Sequence, residues 1–200
     1  MKLKQYLNEG KTSIDVPPDE QNEFLETLLT KNCKQYLNAI KGTQKLLYRG
    51  TEQVFKIAEI TPRKNRNPKD MPLEYHKLLD KLFNTKFGWK PRSTGIFCSG
   101  RHQAAVYGSV YSIWPIGKFK FIWSPKIHDL YLKIYRDSST FKNAIAQPAI
   151  QDLVDTYQSN NLKSAIYNEN EVMLICNSYY LINEKISYDI HNFLKYKDIL

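Results

Sequence analysis

The stretch "SAIYNENEVMLICNSYYLI", residues 164–182, constrains the fold more than any other part of the chain. It reads as two strand-like runs, and from Val172 onward the residues are apolar on successive positions, the pattern of a buried strand rather than a half-exposed one. Such a strand has to be covered by other elements, so it sits inside a domain and not at its rim. At its mouth stand two carboxylates, Glu169 and Glu171, two positions apart, in a chain with 20 acidic against 29 basic residues. If "ENEVMLI" is extended, both carboxylates face the same way, about 7 Å apart along the strand. Paired like charges at the entrance to a buried strand are suited to a shared chemical task. One can hydrogen-bond a sugar hydroxyl while the other orients a basic acceptor.

The elements that could cover this strand follow from periodicity. Leu25, Leu28, Leu29, Cys33, Tyr36, Leu37 and Ile40 recur at helical spacing between Asp19 and Gly42, which predicts one amphipathic helix. "KLLYRG" is a short strand entering a turn, and "PLEYHKLLDKLFNTKFG" predicts a second helix stopped by Gly88. "TGIFCSG" is a further strand, followed by a short helix over "RHQAAVYG". "SVYSIW" and "KFKFIWS" alternate around "PIG", the pattern of two paired strands joined by a turn. "KNAIAQPAIQDLVDTYQ" is helical with a break or new start at Pro148, and "YDIHNFLKY" is a final helix. Short strands with helical insertions and no internal repeat make an α+β chain. Residues 1–9 form a separate amphipathic segment, 10–18 read as a Gly-, Ser- and Pro-bearing linker, and the folded domain spans 19–200.

Charge and cysteine usage narrow the function classes. The net charge of +9 suits contact with nucleic acid or another polyanion where the charge clusters. Its densest run is the loop 63–69, with Arg63, Lys64, Arg66 and Lys69 between two prolines. Cys33, Cys98 and Cys176 are too far apart for a zinc or disulfide pattern and read as reduced, structural thiols. The four histidines form no ligand motif, so no metal is expected. No run approaches the roughly 18 apolar residues of a membrane span, and no secretory signal leads the chain. These features point to a cytosolic protein, or one packaged with cytosolic contents.

Three motifs, taken in order, resemble the ADP-ribosyltransferases of the R-S-E type. "LLYRG" is similar to the strand that opens their catalytic core. "GIFCSGRHQAAVYG" is similar to their Phe-x-Ser-Thr-Ser strand and following helix, and "NENEVMLI" to their ExE signature. The resemblance covers residues 46–182 and implies a split β-sandwich with an N-terminal helix and helical insertions. It implies NAD as the substrate that donates ADP-ribose. Carried onto this sequence, Arg49 would hold the NAD diphosphate or the nicotinamide-side ribose. Ser99 would order the NAD-binding strand and hydrogen-bond the second glutamate. Glu171 would bond the ribose 2′-hydroxyl and stabilise the oxocarbenium ion, and Glu169 would position the nucleophile. Glutamate at that place implies arginine of a protein as acceptor. Gly100 and Arg101 replace two of the family's hydroxyl residues, and Ser93 and Thr94 in "RSTG" compete with Ser99 for the serine slot. "GIF" also resembles a strand of the poly-ADP-ribose polymerases, with Tyr107 near their stacking tyrosine. Tyr107 or Phe97 could stack on nicotinamide, or belong to the core.

The leader "MKLKQYLNE" resembles the capsid-targeting peptides of internal head proteins in large contractile-tailed phages, cut by a prohead protease. The cut would follow Glu9. This implies packaging inside a virion, injection with the genome, and modification of a host protein in the host cytoplasm. Two alternatives stay open: a non-catalytic, basic internal virion protein that binds DNA through a degenerate transferase fold, or a transferase whose acceptor is nucleic acid.

Overall fold

The computed structural model describes residues 10–67, 71–137 and 147–200. The expected leader 1–9, the end of the basic loop with Lys69, and the start of the helix expected around Pro148 lie outside the described residues. The chain runs β1 (Gly10–Ile14), α1 (Gln21–Asn32), α2 (Lys34–Ile40), β2 (Tyr48–Thr51), β3 (Ile57–Thr61) and α3 (Leu73–Phe87). It continues through α4 (Pro91–Thr94), β4 (Ile96–Cys98), α5 (Arg101–Ala105), β5 (Ser109–Pro115), β6 (Phe119–Trp123) and α6 (Leu130–Asp137). It closes with α7 (Gln147–Asp155), α8 (Leu162–Tyr167), β7 (Val172–Cys176), β8 (Tyr179–Asn183) and α9 (Glu184–Tyr196).

The architecture is α+β, with two antiparallel sheets ordered β1-β3-β8-β5-β2 and β4-β7-β6. Two backbone hydrogen bonds join them edge to edge. Tyr48 N–H donates to the Ser99 carbonyl at 3.0 Å, and Ser99 N–H donates back to the Tyr48 carbonyl at 2.9 Å. The strand run that opened the sequence reading is β7 and β8, and they lie in different sheets. β7 is the middle strand of the smaller sheet, which explains its unbroken apolar character. Val172 and Leu174 enter the main core beneath the larger sheet and helices α1, α2, α8 and α9. Met173 points the other way, into a second core with Ile122, Phe83, Ile134 and Val154 from β6, α3, α6 and α7.

Several expectations change in the structure. "SVYSIW" and "KFKFIWS" do not pair with each other. β5 has β2 on one edge and β8 on the other, so β6 has no free edge there and crosses to β7. The crossing is made at Gly117, whose φ of +67° favours glycine. The single N-terminal helix is two, because Cys33 at φ −113° and ψ 22° leaves helical geometry between α1 and α2. Residues 10–14, read as linker, form β1 on the edge of the larger sheet, paired with β3 from Gly10↔Thr61 to Ile14↔Ile57. Its side chains are mostly exposed, so hydrophobic alternation could not announce it. "SAIY", read with the strands, belongs to α8. Asn161 caps that helix, and Leu162, Ala165 and Ile166 bury one helical face. Pro148 falls at the second position of α7, where its missing N–H costs nothing.

A buried polar chain fixes α9 on the larger sheet. Trp114 Nε1 donates to Ser112 Oγ at 2.6 Å, Ser112 and Ser187 hydroxyls meet at 2.7 Å, and Ser187 reaches the Ile182 carbonyl at 2.8 Å. Ser112 and Ser187 are fully buried, as is the Trp114 ring. All three cysteines are buried and free. No described helix is long and apolar enough to cross a membrane. Ser112→Ala leaves the indole N–H and the Ser187 hydroxyl short of a partner, and we expect a loss of about 1–3 kcal/mol in urea unfolding. A change within error would mean that water replaces the hydroxyl.

Candidate active site

The join between the sheets brings three of the sequence motifs side by side. Tyr48 pairs with Ser99, and Cys98 pairs with Val172, so β2, β4 and β7 are successive neighbours. One step beyond the last β4–β7 pair, Ser99 stands beside Glu171. At about 5 Å per strand spacing, the Arg49 and Glu171 backbones lie roughly 10 Å apart. The Cys98 thiol between them senses both charges. Burial pushes it up to about 12, Arg49 pulls the other way, and Cys176 and Glu171 add to the rise.

Side-chain directions divide this group. Arg49 pairs with Tyr111 and Tyr48 with Ser112, so strand alternation sends Arg49 to the opposite face from Tyr48 and Ser99. Arg49 lines a small recess with Lys11, Thr51, Gln53 and Phe55. Phe97 pairs with Met173, which puts Glu171 on the Phe97 face. Ser99 is buried, and its Oγ donates to the Gly100 carbonyl at 3.3 Å rather than to Glu171. Ser93, the competing serine, lies in α4 and donates to Asp80 Oδ2 while His76 Nε2 stands 3.0 Å from its Oγ. It belongs to a buried polar cluster that pins α4 to α3.

Glu171 sits in surroundings that favour its neutral form. It is half-buried, and its backbone N–H donates to the His128 carbonyl at 2.9 Å. Its Oε1 is sealed from solvent with no hydrogen-bond partner among the described residues. Burial raises its pKa to about 7, opposed by Arg92, helped by Asp129, and opposed again by Arg66 and a backbone hydrogen bond from Leu130. Asp129 is held in place by Gln103 Nε2 at 2.7 Å and the Leu132 N–H at 2.8 Å. The Tyr157 hydroxyl, also sealed and unpartnered among the described residues, is driven well above its usual pKa by burial and then by the Glu171 charge.

Glu169 does not continue the strand. It adopts φ +58°, strand β7 begins only at Val172, and its carboxylate is ion-paired with Lys45 Nζ at 2.8 Å. The two carboxylates therefore do not share one extended face. The same turn explains why residue 100 is glycine: a Cβ there would lie 2.6 Å from the Glu169 Cβ. Close packing also governs Gly50, next to Arg49. A Cβ there would come within 2.0 Å of the Ala104 carbonyl oxygen and 2.9 Å of the Tyr107 Cβ. Tyr107 thus rests against β2 at the edge of the site with 58% of its surface exposed. Phe97 is faced by two cations, with Arg66 4.3 Å and Arg92 4.7 Å from its ring centroid.

Sequence reasoning missed Arg92, Asp129 and Tyr157, and gave Arg66 only to a general basic loop. Arg92 lies in the same "RSTG" that supplied the competing serine. Asp129 and Tyr157 carry no local signal, since they come from elements far along the chain.

No family model and no solved structure matches the chain. Among curated proteins, it is similar to UvrABC system protein C from two strains of Borreliella burgdorferi, ZS7 and ATCC 35210, each 34% identical over 92 residues. The match covers 40% of this chain, and the chain spans only 15% of the length of those relatives.

The raised pKa of Glu171 has a stability consequence. Between its ordinary value of 4.5 and about 7, the unfolded chain is ionised here while the folded chain is still protonated. The contribution of this group is therefore complete below 4.5 and lost as pH rises through about 7. Glu171→Gln cannot ionise, so it should be more stable than the parent by about 1–3 kcal/mol above neutrality, with the gap closing toward acid. Urea midpoints at a series of pH values check this, and a pH-independent difference would show that the carboxyl is not desolvated.

Proposed function

We propose that this protein transfers ADP-ribose from NAD to an arginine side chain of a protein, with Glu171 as the catalytic carboxylate. The observation that carries the reading is the adjacency of β2, β4 and β7, which sets the Tyr-Arg-Gly, Phe-x-Ser and ExE-like motifs next to one another. The bond between ribose C1′ and the nicotinamide nitrogen breaks, and its electron pair leaves with neutral nicotinamide. Anionic Glu171 bonds the ribose 2′-hydroxyl and stabilises the oxocarbenium ion. A guanidine nitrogen then forms the new bond to C1′, and its proton passes to Glu169 or water.

The surface ion pair of Glu169 fits the acceptor. It already presents a carboxylate oxygen to a cation, Lys45, at 2.8 Å, and both side chains are partly exposed. An exposed pair of this kind is worth at most about 1 kcal/mol, so an incoming arginine can displace the lysine. The packaging and injection that the leader implies belong to the same proposal.

A second reading has its own observation. Arg49 leaves β2 on the opposite face from Ser99 and Glu171. A chain that had lost the family's diphosphate clamp would keep the fold and bind DNA through its basic surface without turning NAD over.

Nicotinamide release from NAD, with a bacterial lysate as acceptor, separates the two. On the enzyme reading Glu171→Gln cuts release by more than about 100-fold while the variant stays folded. Because only ionised Glu171 serves, the rate should climb about tenfold per pH unit below neutrality and level off above about 7. Glu169→Ala should lose transfer to arginine and keep NAD hydrolysis. Absence of release from the folded parent would move the assignment to the DNA-binding reading.

A further inference from the structure

Strand register brings Tyr157 to the inner side of Glu171. Trp123 pairs with Val172 on one side and with Gln158 on the other, where its N–H and carbonyl bond the Gln158 backbone at 3.0 and 2.8 Å. Both pairings are antiparallel, so one step along the strand Ser124 falls between Glu171 and Tyr157. Alternation turns Ser124 and Glu171 to the face of Ile122 and Met173, and the core on that face also holds Tyr157.

The Tyr157 ring is fixed. Its backbone N–H donates to the Val154 carbonyl at 3.0 Å, at the end of α7, and Phe83 meets the ring edge-on with centroids 4.9 Å apart. Its hydroxyl and Glu171 Oε1 are both sealed from solvent, and neither has a hydrogen-bond partner among the described residues. Polar groups around them are already engaged. Ser124 Oγ meets Thr156 Oγ1 at 2.7 Å and accepts the Lys126 N–H at 3.1 Å. Asp129 takes Gln103 through one oxygen and the Leu132 N–H through the other. One core therefore contains a sealed donor and a sealed acceptor, each of a kind that buried structure normally satisfies. Glu171 is also the charge that bears most on the phenol, ahead of Arg92 and Asp129, and burial with that charge keeps the phenol protonated. A neutral carboxyl carries its own O–H and has little call on a donor, whereas the ionised form is stabilised by one.

We propose that Tyr157 is the positioning residue of Glu171: when the carboxyl ionises, the phenol O–H donates to Oε1, directly or through one enclosed water, and leaves the second oxygen for the substrate. The catalytic use of that second oxygen rests on the transferase reading; the Tyr157–Glu171 hydrogen bond does not. Arg92 from α4, Arg66 from the basic loop and Asp129 from the residue before α6 act on the same carboxyl, and a change at Tyr157 leaves all three in place.

The test follows the Glu171 side-chain carboxyl by carbon NMR across pH, in the full chain labelled in its glutamates, with Glu171→Gln to assign the signal. Tyr157→Phe removes one oxygen and keeps the ring on Phe83. This variant should titrate about one pH unit higher than the parent, because the ionised form loses its donor. Tyr188→Phe, on the exposed face of α9, should titrate as the parent does. A fluorine label on the Tyr157 ring reads the same contact with the hydroxyl still present: its signal should follow the Glu171 titration and lose that step in Glu171→Gln. A Tyr157→Phe titration superimposed on the parent's, or a ring signal blind to Glu171, would show that the tyrosine only packs and would overturn the proposal. On the transferase reading, the pH midpoint of nicotinamide release moves up with the titration. A shifted titration in a chain that never releases nicotinamide would keep the hydrogen bond and lose the transferase.

Discussion

The molecule depends on the pair of backbone hydrogen bonds between Tyr48 and Ser99. Each sheet could satisfy its own strands without them, but the two would then end in open edges at β2 and β4. Unpaired edges expose donors and acceptors that must find partners elsewhere. Joining them produces one continuous order of eight strands across the described residues and sets β2, β4 and β7 in contact. The candidate site depends on that contact, because Arg49, Ser99 and Glu171 come from positions spread over more than half of the chain.

The join also explains the division of labour around it. Strand alternation is strict, so a residue cannot be moved to the other face without shifting the register of its whole strand. Tyr48 opposite Ser99 puts Arg49 on the face away from Glu171. Arg66 and Arg92, on a loop and a short helix that the strand register does not govern, supply positive charge near Glu171. Burial raises the pKa of the carboxylate and the arginines lower it. The balance leaves its pKa at about 7.

Much of this was legible in the sequence. The α+β class, the helix ending at Gly88 and the buried β7 run follow from periodicity and turn residues alone. Motif order pointed to three strands carrying Arg49, Ser99 and Glu171, and β2, β4 and β7 are successive neighbours. What could not be read is what depends on distant partners. β1 carries exposed side chains and is a strand only because β3 offers it an edge. β5 and β6 look like a hairpin until β8 takes the edge that β6 needs. Glu169 looks extended, but the close approach of Gly100 and the pull of Lys45 hold it in a left-handed turn. Asp129 and Tyr157 reach Glu171 from sequence surroundings with no recognisable pattern.

The exchange of strands between sheets bears on how the site comes into being. The short connections after β5 and β7 each lead from one sheet to the other, so neither sheet can be completed from a contiguous stretch. Cys98 must find Val172 across more than 70 residues of chain, and Tyr48 must find Ser99 across about 50. Loop closure over such distances has to precede the contacts that reward it, which slows folding and places these pairings late. Helices α1, α3 and α9 can form from local contacts well before then. A refolding chain thus regains most of its helix content while Glu171 is still an ordinary solvated glutamate, and this carboxyl acquires its shifted pKa only with the last steps of assembly.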